Sequence, residues 1–309
     1  MNTKSYSGSL RIRFTDWVEA AANFLRSGEI HAPTEARGRF LPEYSPQWAP
    51  LTPALHSTQA ELLAQLDDLQ ARLRPLIRHA TDAERASVDA STLAIRSWIE
   101  TRDLTRLLSR SPVNRWRPYK FPITPVDAAD DFKQSCRPID SFLGKFQPSE
   151  GDPTSLVLDT NALVDCTSLE TIARFTVTGP VLMIIPAPVI AELDQLKGSR
   201  KNEEVRATAR RAIRELGRLR SLGDVLRGVS LTRDVTVKMT AHTPDFSDLP
   251  LWLDKTNADD QILAGALEYQ FGHPKLVVMI VTRDINMQNK AALAGLTAIE
   301  GPMCARDAA

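Results

Sequence analysis

The stretch Ser155-Leu156-Val157-Leu158-Asp159-Thr160-Asn161 decides the fold. Its apolar run is short and continuous, as expected of a strand buried on both faces of a parallel sheet. Two further runs have the same character, Val181-Leu182-Met183-Ile184-Ile185 and Leu276-Val277-Val278-Met279-Ile280-Val281. Between and after them the pattern turns helical, over roughly 162–176, 188–197, 203–222, 257–271 and 285–295. Strands alternating with helices predict an α/β domain with a parallel sheet over 154–303.

Ahead of that domain proline sets the boundaries, because it lacks an N–H and drives the preceding residue out of the helical region. Seven prolines at 112, 118, 122, 125, 138, 148 and 153 mark 111–153 as a proline-rich linker. Residues 1–110 read as a mainly α-helical N-terminal domain. Within it Leu62, Leu66, Leu69, Leu73 and Leu76 recur at three- and four-residue steps, which puts one apolar stripe on a helix over 57–80. A second helix over 82–110 carries Val88, Ile95, Trp98, Ile99, Leu104 and Leu108, so 57–110 is expected to form an antiparallel helical hairpin. Thr15 to Leu25 is a third candidate helix, burying Trp17, Ala21 and Phe24.

The 309 residues are 43% hydrophobic and 25% charged, with Lys+Arg 38 against Asp+Glu 38. Zero net charge excludes a histone-like polycation, so any nucleic-acid surface has to be a local patch. Cys136, Cys166 and Cys304 show no metal-ligand spacing. A structural zinc site and a disulfide scaffold are both disfavoured, and a reducing, cytoplasmic location is the natural expectation. No apolar stretch is long enough to span a bilayer.

In a parallel sheet, ligands bind beyond the carboxyl ends of the strands. The first run leads straight into Asp159-Thr160-Asn161 and the last into Thr282-Arg283-Asp284. After the second comes a helix whose early turns hold Glu192 and Asp194, and the helix at 257–271 opens with Asn257-Ala258-Asp259-Asp260. Taken singly, each acid is well explained as a helix cap or as a complement to a helix dipole. Together they deliver a carboxylate from four segments to one sheet edge, where they repel unless a divalent cation neutralises them. All-oxygen ligation suits Mg²⁺ or Mn²⁺ rather than zinc, and the absence of histidine from these loops argues against a histidine base.

In order, spacing and flanking hydrophobicity, four blocks resemble the PIN-domain nucleases over about 154–301: Val157-Leu158-Asp159-Thr160-Asn161, Pro188-Val189-Ile190-Ala191-Glu192-Leu193-Asp194, Asp259-Asp260-Gln261-Ile262-Leu263-Ala264 and Val281-Thr282-Arg283-Asp284-Ile285-Asn286. The last block, running on to Lys290-Ala291, is most similar to PIN domains of PhoH-type proteins and RNA-decay nucleases. Nothing before residue 150 resembles a family. The resemblance implies a PIN-like parallel-sheet sandwich and metal-dependent endonucleolytic hydrolysis of RNA phosphodiesters. It places the catalytic and metal-binding acids at Asp159, Glu192, Asp259 and Asp284. Asp260 becomes an auxiliary acid that a one-residue slip would exchange with Asp259. Thr282 falls on the hydroxyl position that steadies the first aspartate, and Asn161 on a polar supporting position. Arg283 departs from relatives with a second acid there, and would lower local negative charge or reach for phosphate. With no histidine available, the resemblance implies metal-bound hydroxide as the base, oriented by Asp259 or Asp260.

A polyanionic substrate needs positive charge beside such a pocket. From Lys197 to Arg220 there are nine basic residues against three acids. Arg206, Arg210, Arg214 and Arg218 recur at four-residue spacing and form one helical ridge, with Lys201 just ahead of it. A second candidate, Trp116-Arg117-Pro118-Tyr119-Lys120-Phe121, interleaves aromatics with cations and reads equally as a pinned linker. The expected partner is single-stranded or structured RNA. The helical half is left to target, restrain or dimerise the nuclease, so a homo-oligomer is allowed and a membrane partner is not. A catalytically silent or autoinhibited RNA-binding scaffold and a PIN-like DNA nuclease are the competing readings. No phosphate-binding GxxxxGK[ST] loop or GxGxxG turn is present.

Overall fold

The computed structural model describes residues 5–31, 47–102, 124–149, 151–166, 168–176, 179–198, 203–247 and 249–302. The chain divides into a helical unit, Leu10–Lys145, and a sheet unit formed by Met1–Ser9 with Phe146–Ala309. Among the described residues no helix is long and apolar enough to cross a membrane.

The helical unit is built from α1 (Tyr6–Arg26), which enters it from the sheet unit, α2 (Pro53–Ile77), α3 (Asp82–Glu100) and α4 (Pro125–Gly144), with a two-residue ladder of β1 (Ile30–His31) and β2 (Gln47–Trp48). The leucine stripe of α2 is buried as its period requires, and α3 buries Val88, Ile95, Trp98 and Ile99. Gln59 near the start of α2 reaches the carbonyl of Ile99 near the end of α3 at 2.7 Å, so the pair is antiparallel. Thr81 caps α3 in a reciprocal box with Glu84, satisfying two of the helix's orphan N–H groups. Trp17 of α1 is buried and donates its indole N–H to the carbonyl of Leu62 at 3.0 Å.

The expected linker over 111–153 does not hold at Pro125–Gly144. That segment is α4, whose Phe132, Cys136, Ile139, Phe142 and Leu143 are core, and which packs on α3. Its start was written in Thr124-Pro125 with Asp127 at the third helical position: proline is tolerated in a first turn, and the Thr124/Asp127 pair forms a second capping box. Residues 103–123, with Leu104, Leu108 and the Trp116–Phe121 stretch, lie outside the described residues.

The sheet unit contains β3 (Thr154–Leu158), α5 (Thr160–Asp165), α6 (Leu169–Thr176), β4 (Val181–Ile185), α7 (Ala187–Gly198), α8 (Glu203–Leu222), β5 (Val229–Ser230), β6 (Val235–Met239), α9 (Ala258–Gly272), β7 (Val277–Val281), α10 (Ile285–Ala294) and β8 (Thr297–Ile299). The six strands lie in the order β5-β6-β4-β3-β7-β8. All neighbours are parallel except β5, a short antiparallel partner of β6. Strand β3 is central, flanked by β4 and β7, and its Leu156, Val157 and Leu158 are buried. Connections leave β3 toward β4 on one side and return through α9 to β7 on the other, so the chain reverses direction across the sheet at β3. A crevice at that reversal is the expected ligand position in an open α/β sheet.

Two parallel strands went unread in the sequence. Strand β6 alternates buried Val235, Val237 and Met239 with half-buried Thr236 and Lys238, a period-two pattern rather than a continuous apolar run. The three residues of β8 are only half-buried at the sheet edge. Cys136 is free, and burial pushes its thiol up to about 12. Cys166, against expectation, is disulfide-bonded; Cys304 lies outside the described residues.

Candidate functional site

Four acids stand at or just beyond the carboxyl edge of β3, β4 and β7. Asp159 follows β3 and caps α5, its Oδ1 accepting from the Ala162 N–H at 2.7 Å. The Thr282 hydroxyl, one residue past β7, donates a short hydrogen bond to Asp159 Oδ2 and accepts from the Asp284 N–H at 3.0 Å. One threonine thereby ties together the acids that follow adjacent strands. Asp284 caps α10, accepting from the N–H groups of Asn286 and Met287 on Oδ1 at 2.7 and 3.1 Å, which leaves Oδ2 open among the described residues. Glu192 comes from α7, and Thr160 donates to its Oε2 at 2.7 Å.

Electrostatics bind the four into one group. Asp159 is only 4% exposed, and its carboxyl is pushed up to about 6, first by burial and then by the charges of Asp259 and Glu192, against the opposing hydrogen bonds from Thr282 and Ala162. Asp259 is held above the ordinary carboxylate range, again first by burial and then by Asp284 and Glu192. Each acid thus raises, or is raised by, another of the set, as carboxylates sharing a site do.

Asp259 and Asp260 separate cleanly. Asp260 is 3% exposed and fully engaged: Lys290 Nζ lies 2.5 Å from its Oδ1, the Asp254 N–H donates to Oδ2 at 3.0 Å, and its own N–H is capped by Asn257 at 3.1 Å. Asp259, the residue before it, makes no such pair: burial, Asp284 and Glu192 raise it, and Lys290 opposes them only at a distance. Asp260 therefore anchors the start of α9 to Lys290 of α10. Asn161 is exposed in the first turn of α5, and among the described residues its side chain makes no hydrogen bond. The supporting role expected of it falls to its neighbour Thr160, a hydroxyl next to a strand-end acid that the sequence reading passed over.

The donor set fits a hard divalent cation in part. It is all oxygen, and the cations next to it are already paired, Lys290 with Asp260 and Arg283 with Asp165 at 3.6 Å. Among the described residues no three His, Cys, Asp or Glu side chains are close enough to enclose an ion directly. An octahedral Mg²⁺ that keeps several waters and touches one or two carboxylates is compatible with that spacing.

Helix α8 packs on α5 and α7, the helices that follow Asp159 and carry Glu192. It buries Thr208, Ala209, Ala212, Leu216 and Leu219, while Arg210, Arg214 and Arg218 are exposed and Arg206 is half-buried. Arg210 and Arg214 are exposed with no acid partner among the described residues. Arg206 pairs closely with Glu203, and Arg218 grips Glu215 with bonds of 2.7 and 3.0 Å. Half of the expected ridge is thus neutralised in place. Lys201 lies outside the described residues.

Residues 156–301 match the PIN-domain family model. This part of the chain is a PIN domain. No curated protein matches the chain. The match runs from β3 through β8 and takes in all four acids. A PIN domain is a nuclease domain and generally works with a divalent metal, which is the chemistry that convergent, mutually repelling carboxylates permit.

Proposed function

We propose that the protein is a metal-dependent endoribonuclease whose active centre is the carboxylate edge of the PIN domain, with Asp159, Glu192, Asp259 and Asp284 surrounding Mg²⁺ or Mn²⁺, one or two of them directly and the rest through water. The observation that carries this is the buried, charge-stressed Asp159, which faces the negative charge of Asp259 and Glu192 and no partnering cation. Such a group is costly unless a cation offsets it.

Bound there, a divalent ion supplies charge stabilisation for the phosphoryl oxygens and a water that deprotonates near neutral pH. Thr282 and the Ala162 N–H fix the rotamer of Asp159, so the carboxylate would need no reorganisation to hold an ion. Thr160 does the same for Glu192. Asp259 is half-buried and makes no hydrogen bond among the described residues, which leaves it able to orient a water. Arg210 and Arg214 contact phosphates of the strand, while Arg283 restrains Asp165. The partner is single-stranded or structured RNA, and the helical unit targets, restrains or dimerises the nuclease.

The test is cleavage of matched single-stranded RNA and DNA by the full-length protein with Mg²⁺, Mn²⁺ or EDTA. RNA cutting that EDTA and Asp159→Asn both abolish supports the reading. Cutting of DNA alone makes the domain a DNA nuclease. RNA binding without cutting, under every ion, makes it a scaffold.

A further inference from the structure

A cavity of about 590 Å³ opens in the sheet unit, lined by none of the four acids. Its floor is one row of the sheet: the parallel register sets Val157 beside Ile184 and Ile184 beside Lys238, and all three line it. Helix α9 supplies a wall through Gly265, Glu268 and Tyr269. Both size and character fall in the range of small-molecule sites, about 300–1,000 Å³ of mostly apolar surface with a few convergent polar groups.

Three features define what would fill it. Lys238 is half-buried on the apolar floor, and among the described residues no acid pairs with it. Among the described residues Glu268 is the one carboxylate lining the cavity, and it meets His242 at 2.9 Å rather than Lys238. Second, Tyr269 and His273 stack at 4.2 Å with 22° between their planes, giving the wall a flat aromatic face. Third, Gly265 occupies the middle of α9, where glycine costs about 0.5–1 kcal/mol relative to alanine. A Cβ there would meet only Pro244 Cγ, at 3.5 Å, an ordinary contact. Packing does not demand the glycine, whereas a larger side chain would extend into the cavity.

We propose that this cavity is a second binding site of the PIN domain, for a small organic anion with a planar aromatic body. The acid group sits on the Lys238 ammonium, and the ring lies between the Val157–Ile184 floor and Tyr269. At the rim Glu268 is hydrogen-bonded to His242, 2.9 Å away, so its carboxylate is turned to the ring rather than to Lys238. The site does not depend on the nuclease reading, since none of its groups belongs to the carboxylate edge.

Calorimetric titration of the full-length protein in EDTA tests it, because the carboxylate edge then has no ion through which to recruit an anion. The probes are naphthalene-1-sulfonate and adenosine 5′-monophosphate, each run against wild type, Lys238→Met and Gly265→Leu, with thermal melting as the fold control. At least one probe is expected to bind, and to weaken tenfold or more in Lys238→Met at unchanged melting temperature. Gly265→Leu is expected to block the same probe sterically; should that variant fail to fold, Lys238→Met decides alone. Binding of the nucleotide alone identifies a nucleotide as the source of the anion. Binding of the sulfonate, with or without the nucleotide, identifies a general aromatic acid. Binding of neither, or binding that Lys238→Met leaves unchanged, overturns the proposal.

Discussion

Replacing Asp159 by asparagine should stabilise the metal-free sheet unit at neutral pH. Burial and neighbouring acids hold this carboxyl near 6 instead of 3.8. Between those values the folded protein keeps a proton that the unfolded chain has already released, so stability falls as pH rises through this window and stays low above it. At about 1.4 kcal/mol per pH unit the full penalty approaches ~3 kcal/mol above pH 6. Asparagine carries no such penalty, but it meets two donors, Thr282 Oγ1 and the Ala162 N–H, with one oxygen, and loses about 1 kcal/mol at any pH. The variant should therefore be near neutral or slightly destabilised at pH 4, and about 2 kcal/mol more stable than wild type at pH 7.5. Hydrogen exchange of β3 and β7 amides across a urea series in EDTA reads this unit separately from the helical one. A stability difference that is the same at pH 4 and pH 7.5 would refute the reasoning, because it would mean that Asp159 is not held charged against burial.

Thr282→Val removes the donor on Asp159 and the acceptor of the Asp284 N–H, and should weaken Mn²⁺ binding tenfold or more by calorimetry while costing about 1–3 kcal/mol of stability. Lys290→Met leaves Asp260 charged and buried, and should cost about 3–5 kcal/mol in urea unfolding; Asp260→Asn added to it should restore most of the loss. Arg210→Ala with Arg214→Ala should lower the salt dependence of single-stranded RNA binding by about 1.4 in the log–log slope, with cleavage at saturating RNA unchanged.

The sheet core was legible because strands enclosed on both faces leave continuous apolar runs; β3, β4 and β7 each fall within a residue of where those runs stand. Strand β6 was not, since its alternation matched no such run and Thr236 and Lys238 diluted it. Helix α4 was hidden by its own prolines, of which Pro125 sits at the helix start, where no N–H is needed, while Pro138 is carried inside a helix that keeps its packing. At the site, the strand-end position of Asp159 and Asp284 was readable from the residues around them. What separates Asp259 from Asp260 was not: it depends on Lys290, thirty residues on, choosing one of two adjacent acids in space. The arginine spacing of α8 was correct, but it did not reveal that Glu203 and Glu215, on the same helix, occupy Arg206 and Arg218.

The most direct test of the central claim is the position of Mn²⁺ in a crystal of the full-length protein, located by anomalous scattering and paired with the same measurement on Asp159→Asn. The account predicts one or more peaks among Asp159, Glu192, Asp259 and Asp284, about 2.0–2.6 Å from carboxylate or water oxygens, and their loss in the variant. A manganese-dependent activity with no ion at that edge would contradict it.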